Sequence, residues 1–148
     1  MLRRISRAWA GRFLVGLVFF FNVQCALAFL IAPERYAPGF ELSGAVGAGM
    51  VRALGILFLM WNVPYAAAMV SPFRRRVSLY EAVVMQAIGF AGEGLLLVTF
   101  PPGHALIRAT VGRFLLFDGL GLLALLGAAW ITRGIRTGSA VRSRAGRS

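Results

Sequence analysis

The sequence predicts an all-α integral membrane protein, a four-helix bundle running up-down-up-down with both termini cytoplasmic. Three observations carry this reading. Hydrophobic residues make up 59% of the 148-residue chain and charged residues 14%, whereas soluble domains run nearer half apolar with about a quarter charged. The apolar residues gather into four runs, each near the length of about 20 residues that a helix needs to cross a hydrocarbon core about 30 Å thick. All the basic residues are arginines, and most of them sit at the ends of these runs, where insertion orientation is set.

The chain falls into a basic N-terminus (1–12), a membrane domain (13–132) and a basic tail (133–148). Arg3, Arg4, Arg7 and Arg12 precede the first apolar run, which spans about 13–32 and is interrupted by Asn22, Gln24 and Cys25. A basic start, an apolar core and Ala26-Leu27-Ala28 also fit a cleavable signal peptide. The run continues past Ala28 at full span length, which favours a retained helix. Pro33 to Ser43 forms a short polar link. The second span, about 44–70, opens with Gly44, Gly47 and Gly49 and carries Arg52, and Pro64 is expected to kink it. Arg74, Arg75 and Arg76 follow as a cytoplasmic stop signal.

The third span, about 79–100, contains Gln86 and Glu93, seven apart and therefore on one helix face. Pro101-Pro102-Gly103 ends it. The fourth span, about 107–131, contains Arg113 and Asp118. The tail, with Arg133, Arg136, Arg142, Arg144 and Arg147 among Gly and Ser, has no apolar periodicity and is expected to be disordered near anionic headgroups. The arginine-rich segments thus lie at one membrane side, against Arg35 and Arg108 in the other two links. Trp61, Tyr65, Tyr80 and Trp130 are expected to anchor the inner interface.

Charges inside apolar runs cost a few kcal/mol each, so they should face one another or a wet cavity. From the rise per residue, Arg52 lies about 12 Å, Glu93 about 10 Å and Arg113 about 6–12 Å from the outer membrane face. The expectation is a buried cluster in which Arg52, Glu93 and Arg113 share one level, with Asp118 and Gln86 deeper. Arg113 and Asp118 are five apart, roughly 140° around the helix, so they cannot both face one neighbour. The cluster reads either as a structural salt bridge or as a ligand or proton site with Glu93 as the titrating group or cation anchor.

Composition narrows the function classes. A net charge of +11 can signal nucleic acid, but its placement at helix ends argues for anionic lipid, and no nucleic-acid partner is expected. One cysteine excludes an internal disulfide, a CxxC pair and a multi-thiolate zinc site, and one histidine excludes haem held between two histidines or a His-rich metal centre within one chain; no cofactor and no metal are expected. The chain has no His-Glu-x-x-His, Walker loop or Gly-x-Ser-x-Gly.

Ala32-Pro33-Glu34 at the first helix exit, Arg52-Ala53-Leu54-Gly55 and the Arg113-Phe114 start of the fourth helix resemble the small DoxX-like bacterial membrane proteins. The resemblance covers most of the membrane part through short motifs. It implies a four-helix fold in a bacterial inner (plasma) membrane, with some relatives tied to oxidoreductase partners. A small multidrug exporter has similar size, but it carries its key glutamate in the first helix, where this chain has none. The leading expectation is a non-catalytic accessory or scaffolding subunit, with a membrane-protein partner or a second copy of itself. The alternatives are a small transporter or proton-coupled channel using Glu93, and a membrane enzyme acting on lipid or quinone.

Overall fold

A computed structural model describes residues 2–134, and these are helical almost throughout, with no strand among the described residues. The elements are α1 (Leu2–Ile31), α2 (Pro33–Tyr36), a 3-10 turn (Ala37–Phe40), α3 (Gly44–Trp61), α4 (Val63–Val70), α5 (Arg76–Thr99) and α6 (Ala105–Thr132). Four segments are long and apolar enough to cross a membrane: Ile5–Ile31, Gly44–Val70, Arg76–Thr99 and Ala105–Thr132. The tail beyond Gly134, expected to be disordered, lies outside the described residues.

Helix α1 begins about ten residues before the expected span. Nothing between Leu2 and Phe13 breaks a helix, so the basic segment forms its first turns rather than a separate arm. It stops at Ala32 because Pro33 disfavours helical geometry in the residue before it; Ala32 sits at φ −134°, ψ 56°. The short polar link Pro33–Ser43 is largely helical. Pro33 suits the first position of α2, where no amide hydrogen is needed, and the turn closes on Glu41 in the left-handed region at φ 56°. This link folds inward: Ala37 and Pro33 are buried, and Tyr36 and Phe40 stand 5.2 and 5.8 Å from the Phe29 ring.

The interruption expected at Pro64 is present. The helix breaks at Asn62, and Pro64 takes the second position of α4. Asn62 caps the end of α3 twice over: its amide N–H donates to Phe58 O at 3.1 Å, and its side-chain Nδ2 donates to the same oxygen at 2.6 Å.

Helix-on-helix packing is most extensive between α5 and α6, then between α1 and both α3 and α6. One core cluster joins Val15 and Val18 of α1, Tyr65 and Ala68 of α4, Leu79 and Ala82 of α5, and Leu125 and Ala128 of α6. A second gathers Phe29, Ala37 and Val51 with Phe40, Phe58 and Phe114 around them. Gly55 lets α3 approach α1: a Cβ there would lie 2.9 Å from Ala26 O and 3.1 Å from Phe29 Cβ. Ile31, Val46, Val77 and Val98 point outward with most of their surface exposed, as lipid-facing positions would.

Two tests follow from this packing. Gly55→Ala should lower stability by about 1–3 kcal/mol through overpacking, whereas Gly49→Ala, with open space around it, should be neutral or gain up to about 1 kcal/mol in helix propensity. Detergent-unfolding midpoints of the two variants compare them directly, and equal midpoints would refute the close contact. The second concerns the pin between the links, where His104 Nδ1 donates to Glu41 Oε2 at 2.5 Å. That hydrogen bond holds the Glu41 carboxyl below its ordinary value of 4.5. Its contribution is therefore complete above pH 4.5 and is lost as pH falls through the lowered folded-state value. A carboxyl NMR titration should show Glu41 titrating low in the intact protein and higher in His104→Ala; an unchanged titration would mean that the histidine does not hold it.

Candidate functional site

The core carries a polar chain. Tyr65, wholly buried on α4, donates its hydroxyl to Gln86 Oε1 on α5 at 2.6 Å, with Ala82 O a second acceptor at 3.1 Å. Gln86 Nε2 then donates to Asp118 Oδ1 on α6 at 2.9 Å. An ionised carboxylate only accepts, which fixes the Gln86 amide with its nitrogen toward Asp118 and its oxygen toward the tyrosine.

Two glycines make room for this chain, each on the helix facing the side chain it admits. A Cβ on Gly89 of α5 would overlap Asp118 Oδ2, and a Cβ on Gly121 of α6 would come within 2.6 Å of Gln86 Nε2. Each glycine lies three residues after the polar residue on its own helix, so it shares that residue's face. Gln86 of α5 fills the notch at Gly121, and Asp118 of α6 fills the notch at Gly89.

Beside the chain lies a chamber of about 120 Å³, enough for about four waters at the volume each occupies in the liquid. Asn22 and Cys25 of α1 form one side. Gln86, Gly89, Glu93 and Asp118 form the polar wall. Phe58, Trp61, Phe114 and Phe117 supply the apolar walls, with Asn62 at the helix break. None of these eleven lining residues is basic. Glu93 Oε2 and Asn62 Oδ1 are buried there without a hydrogen-bond partner. Buried polar atoms are nearly always paired, so two orphans on one small chamber mark a place where something else supplies the donors.

The expected charge cluster is only partly assembled. Gln86, Asp118 and Glu93 do line one site, with Glu93 and Gln86 on the shared face that their spacing implies. Arg52 does not join them. It points away from the core and pairs with Glu34 of α2 at 3.4 Å, both side chains more than half exposed. The cause is the burial of its neighbour: Val51 is wholly buried against α1 and the link, which turns Arg52 outward. Arg113 is also exposed, its Nη2 donating to Thr110 Oγ1 at 3.1 Å, on the far side of α6 from Asp118, as their separation around the helix requires. The convergence of Arg52, Glu93 and Arg113 at one level is therefore not formed, and the acids face the chamber without them.

Sequence reasoning missed Tyr65 and Asn62. Tyr65 was expected at the interface, but it is followed in sequence by Ala66, Ala67 and Ala68, small residues that let neighbouring helices approach closely. Trp61 likewise lines the chamber, while Tyr80 and Trp130 are exposed, as anchoring residues would be.

The chain Tyr65–Gln86–Asp118 should behave as a unit. Tyr65→Phe should cost about 1–3 kcal/mol by stranding Gln86 Oε1. A double-mutant cycle with Gln86→Leu should give a coupling of at least about 0.5 kcal/mol; additive losses would mean the two groups do not interact.

No family model, no curated protein and no solved structure matches this chain.

Proposed function

We propose that the chain is an integral membrane protein that takes a small protonated amine into the acid-lined chamber and carries it across the bilayer. The observation that supports this reading is the pair of unpartnered buried oxygens, Glu93 Oε2 and Asn62 Oδ1, on a chamber with two carboxylates and no basic lining residue. Charge balance in such a space comes from outside the chain, as a proton or a bound cation. An ammonium group offers the N–H donors that both oxygens lack. Its carbon substituents suit Phe58, Trp61, Phe114 and Phe117, whose ring faces also attract a cation. The volume limits the solute to a few heavy atoms.

In this reading Glu93 is the primary anchor, Asn62 a hydrogen-bond acceptor, and Asp118 a second carboxylate already oriented by Gln86. The four spans run up-down-up-down with both ends cytoplasmic, by the arginine distribution, in a bacterial inner membrane by the resemblance stated above. An accessory-subunit role leaves the chamber unused, so the transport reading is preferred.

The test is flux of methylammonium into liposomes reconstituted with the intact protein or with Glu93→Gln. A charge-assisted contact contributes about 1.5–3 kcal/mol, so the variant should lose about tenfold or more of the flux. Acetate should not be carried by either. Equal flux through both proteins would overturn the proposal, as would carriage of acetate at the same rate.

A further inference from the structure

A second cavity, about 550 Å³, opens between α1, α6 and the α2 link. Its electrostatics are opposite to those of the chamber. Arg35 and Arg113 line it together with Gln24, and no acid does. Both acids of the neighbouring link are committed elsewhere: Glu34 to Arg52 and Glu41 to His104. Arg108 is also engaged, its Nη1 donating to Leu97 O at 2.8 Å and Phe100 O at 3.0 Å. Of the four arginines at this end among the described residues, the two facing the cavity are thus the two without an acid or a carbonyl partner.

Arg113 is also held in place. Thr110, buried, donates its hydroxyl to Gly39 O at 2.7 Å and accepts Arg113 Nη2 at 3.1 Å. The link and α6 therefore jointly aim one guanidinium at the cavity, with most of its five N–H donors uncommitted. Beneath the arginines the walls are aromatic, with Phe29, Phe40, Phe114 and Phe117 among them. A cationic rim above an apolar cavity of ligand size is complementary to an amphiphile with a negative head.

We propose that this cavity binds an anionic phospholipid, its phosphate on Arg35 and Arg113 and the start of its acyl chains among the aromatic rings. The lipid enters sideways between α1 and α6, from the leaflet that contains the Pro33–Ser43 end. This site is independent of the transport reading, since none of its charged groups lines the acid chamber.

Native mass spectrometry of the full chain in mild detergent, titrated with phosphatidylglycerol, tests it. Arg113→Gln and Arg35→Gln should each weaken retention about tenfold, the value of one lost charge-assisted contact. Arg52→Gln, an arginine of the same end paired to Glu34, should retain lipid like the intact protein. Thr110→Val, which keeps both charges but frees Arg113, should fall between. Glycerol phosphate alone should compete poorly, and phosphatidylcholine should bind weakly. Far-UV circular dichroism establishes that each variant is folded; should Arg113→Gln fail to fold, Arg35→Gln carries the comparison. Undiminished retention in a folded Arg35→Gln or Arg113→Gln overturns the proposal, as does equal loss in Arg52→Gln. Displacement of the lipid by glycerol phosphate at equal concentration also overturns it, because the site then holds a free anion. Glu93→Gln should leave lipid retention unchanged, so a failure of transport and a failure of lipid binding are read separately.

Discussion

The structure depends on how three helices share one line of polar atoms through their core. Tyr65, Gln86 and Asp118 lie in a largely apolar interior, where an unpaired hydroxyl, amide or carboxylate costs several times what a made hydrogen bond returns. The shortest bonds of that line run one way, from tyrosine to amide to carboxylate. A shift of α5 by one residue against both α4 and α6 would break both bonds and push both polar side chains out of their glycine notches. Register is thereby fixed in a setting where apolar side chains alone discriminate poorly, since lipid and protein interior are equally greasy.

The Gln86 and Asp118 end of that line also forms one wall of the chamber. Asp118 is presented to the space by Gln86, and Glu93 enters it from the same face of α5. The break at Asn62 completes the enclosure by redirecting the chain between Trp61 and Tyr65, so that one aromatic lines the space and the other closes the core beneath it. The chamber and the outer cavity meet at Cys25, Phe114 and Phe117, which line both. Acidic and basic compartments are thus separated by two rings one helical turn apart. This arrangement keeps Arg113 from neutralising the acids that stand on the other side of its own helix.

Much of this was legible in the sequence. Run length gave the four spans, Pro64 the interruption, Pro101-Pro102-Gly103 the turn before α6, and the seven-residue spacing of Gln86 and Glu93 their common face. What escaped was pairing between elements. The sum of charges suggested that Arg52 and Glu93 would meet, yet which acid an arginine reaches depends on helix rotation, and rotation was set by Val51 and Gly55 against α1. The link reads in the sequence only as a short polar connection. Its alternation of Pro33, Tyr36, Ala37 and Phe40 with Glu34, Arg35 and Pro38 instead gives a short amphipathic cap, which brings Glu34 within reach of Arg52. Notches at Gly89 and Gly121 are invisible without a partner to show what enters them.

The reciprocal fit at those notches has a consequence for inheritance. Enlarging residue 89 presses on the end of the residue 118 side chain, and enlarging 121 presses on that of 86. Divergent descendants of this chain would therefore add bulk at either glycine most readily after the facing side chain had shortened, an order of events that links the four positions in two pairs.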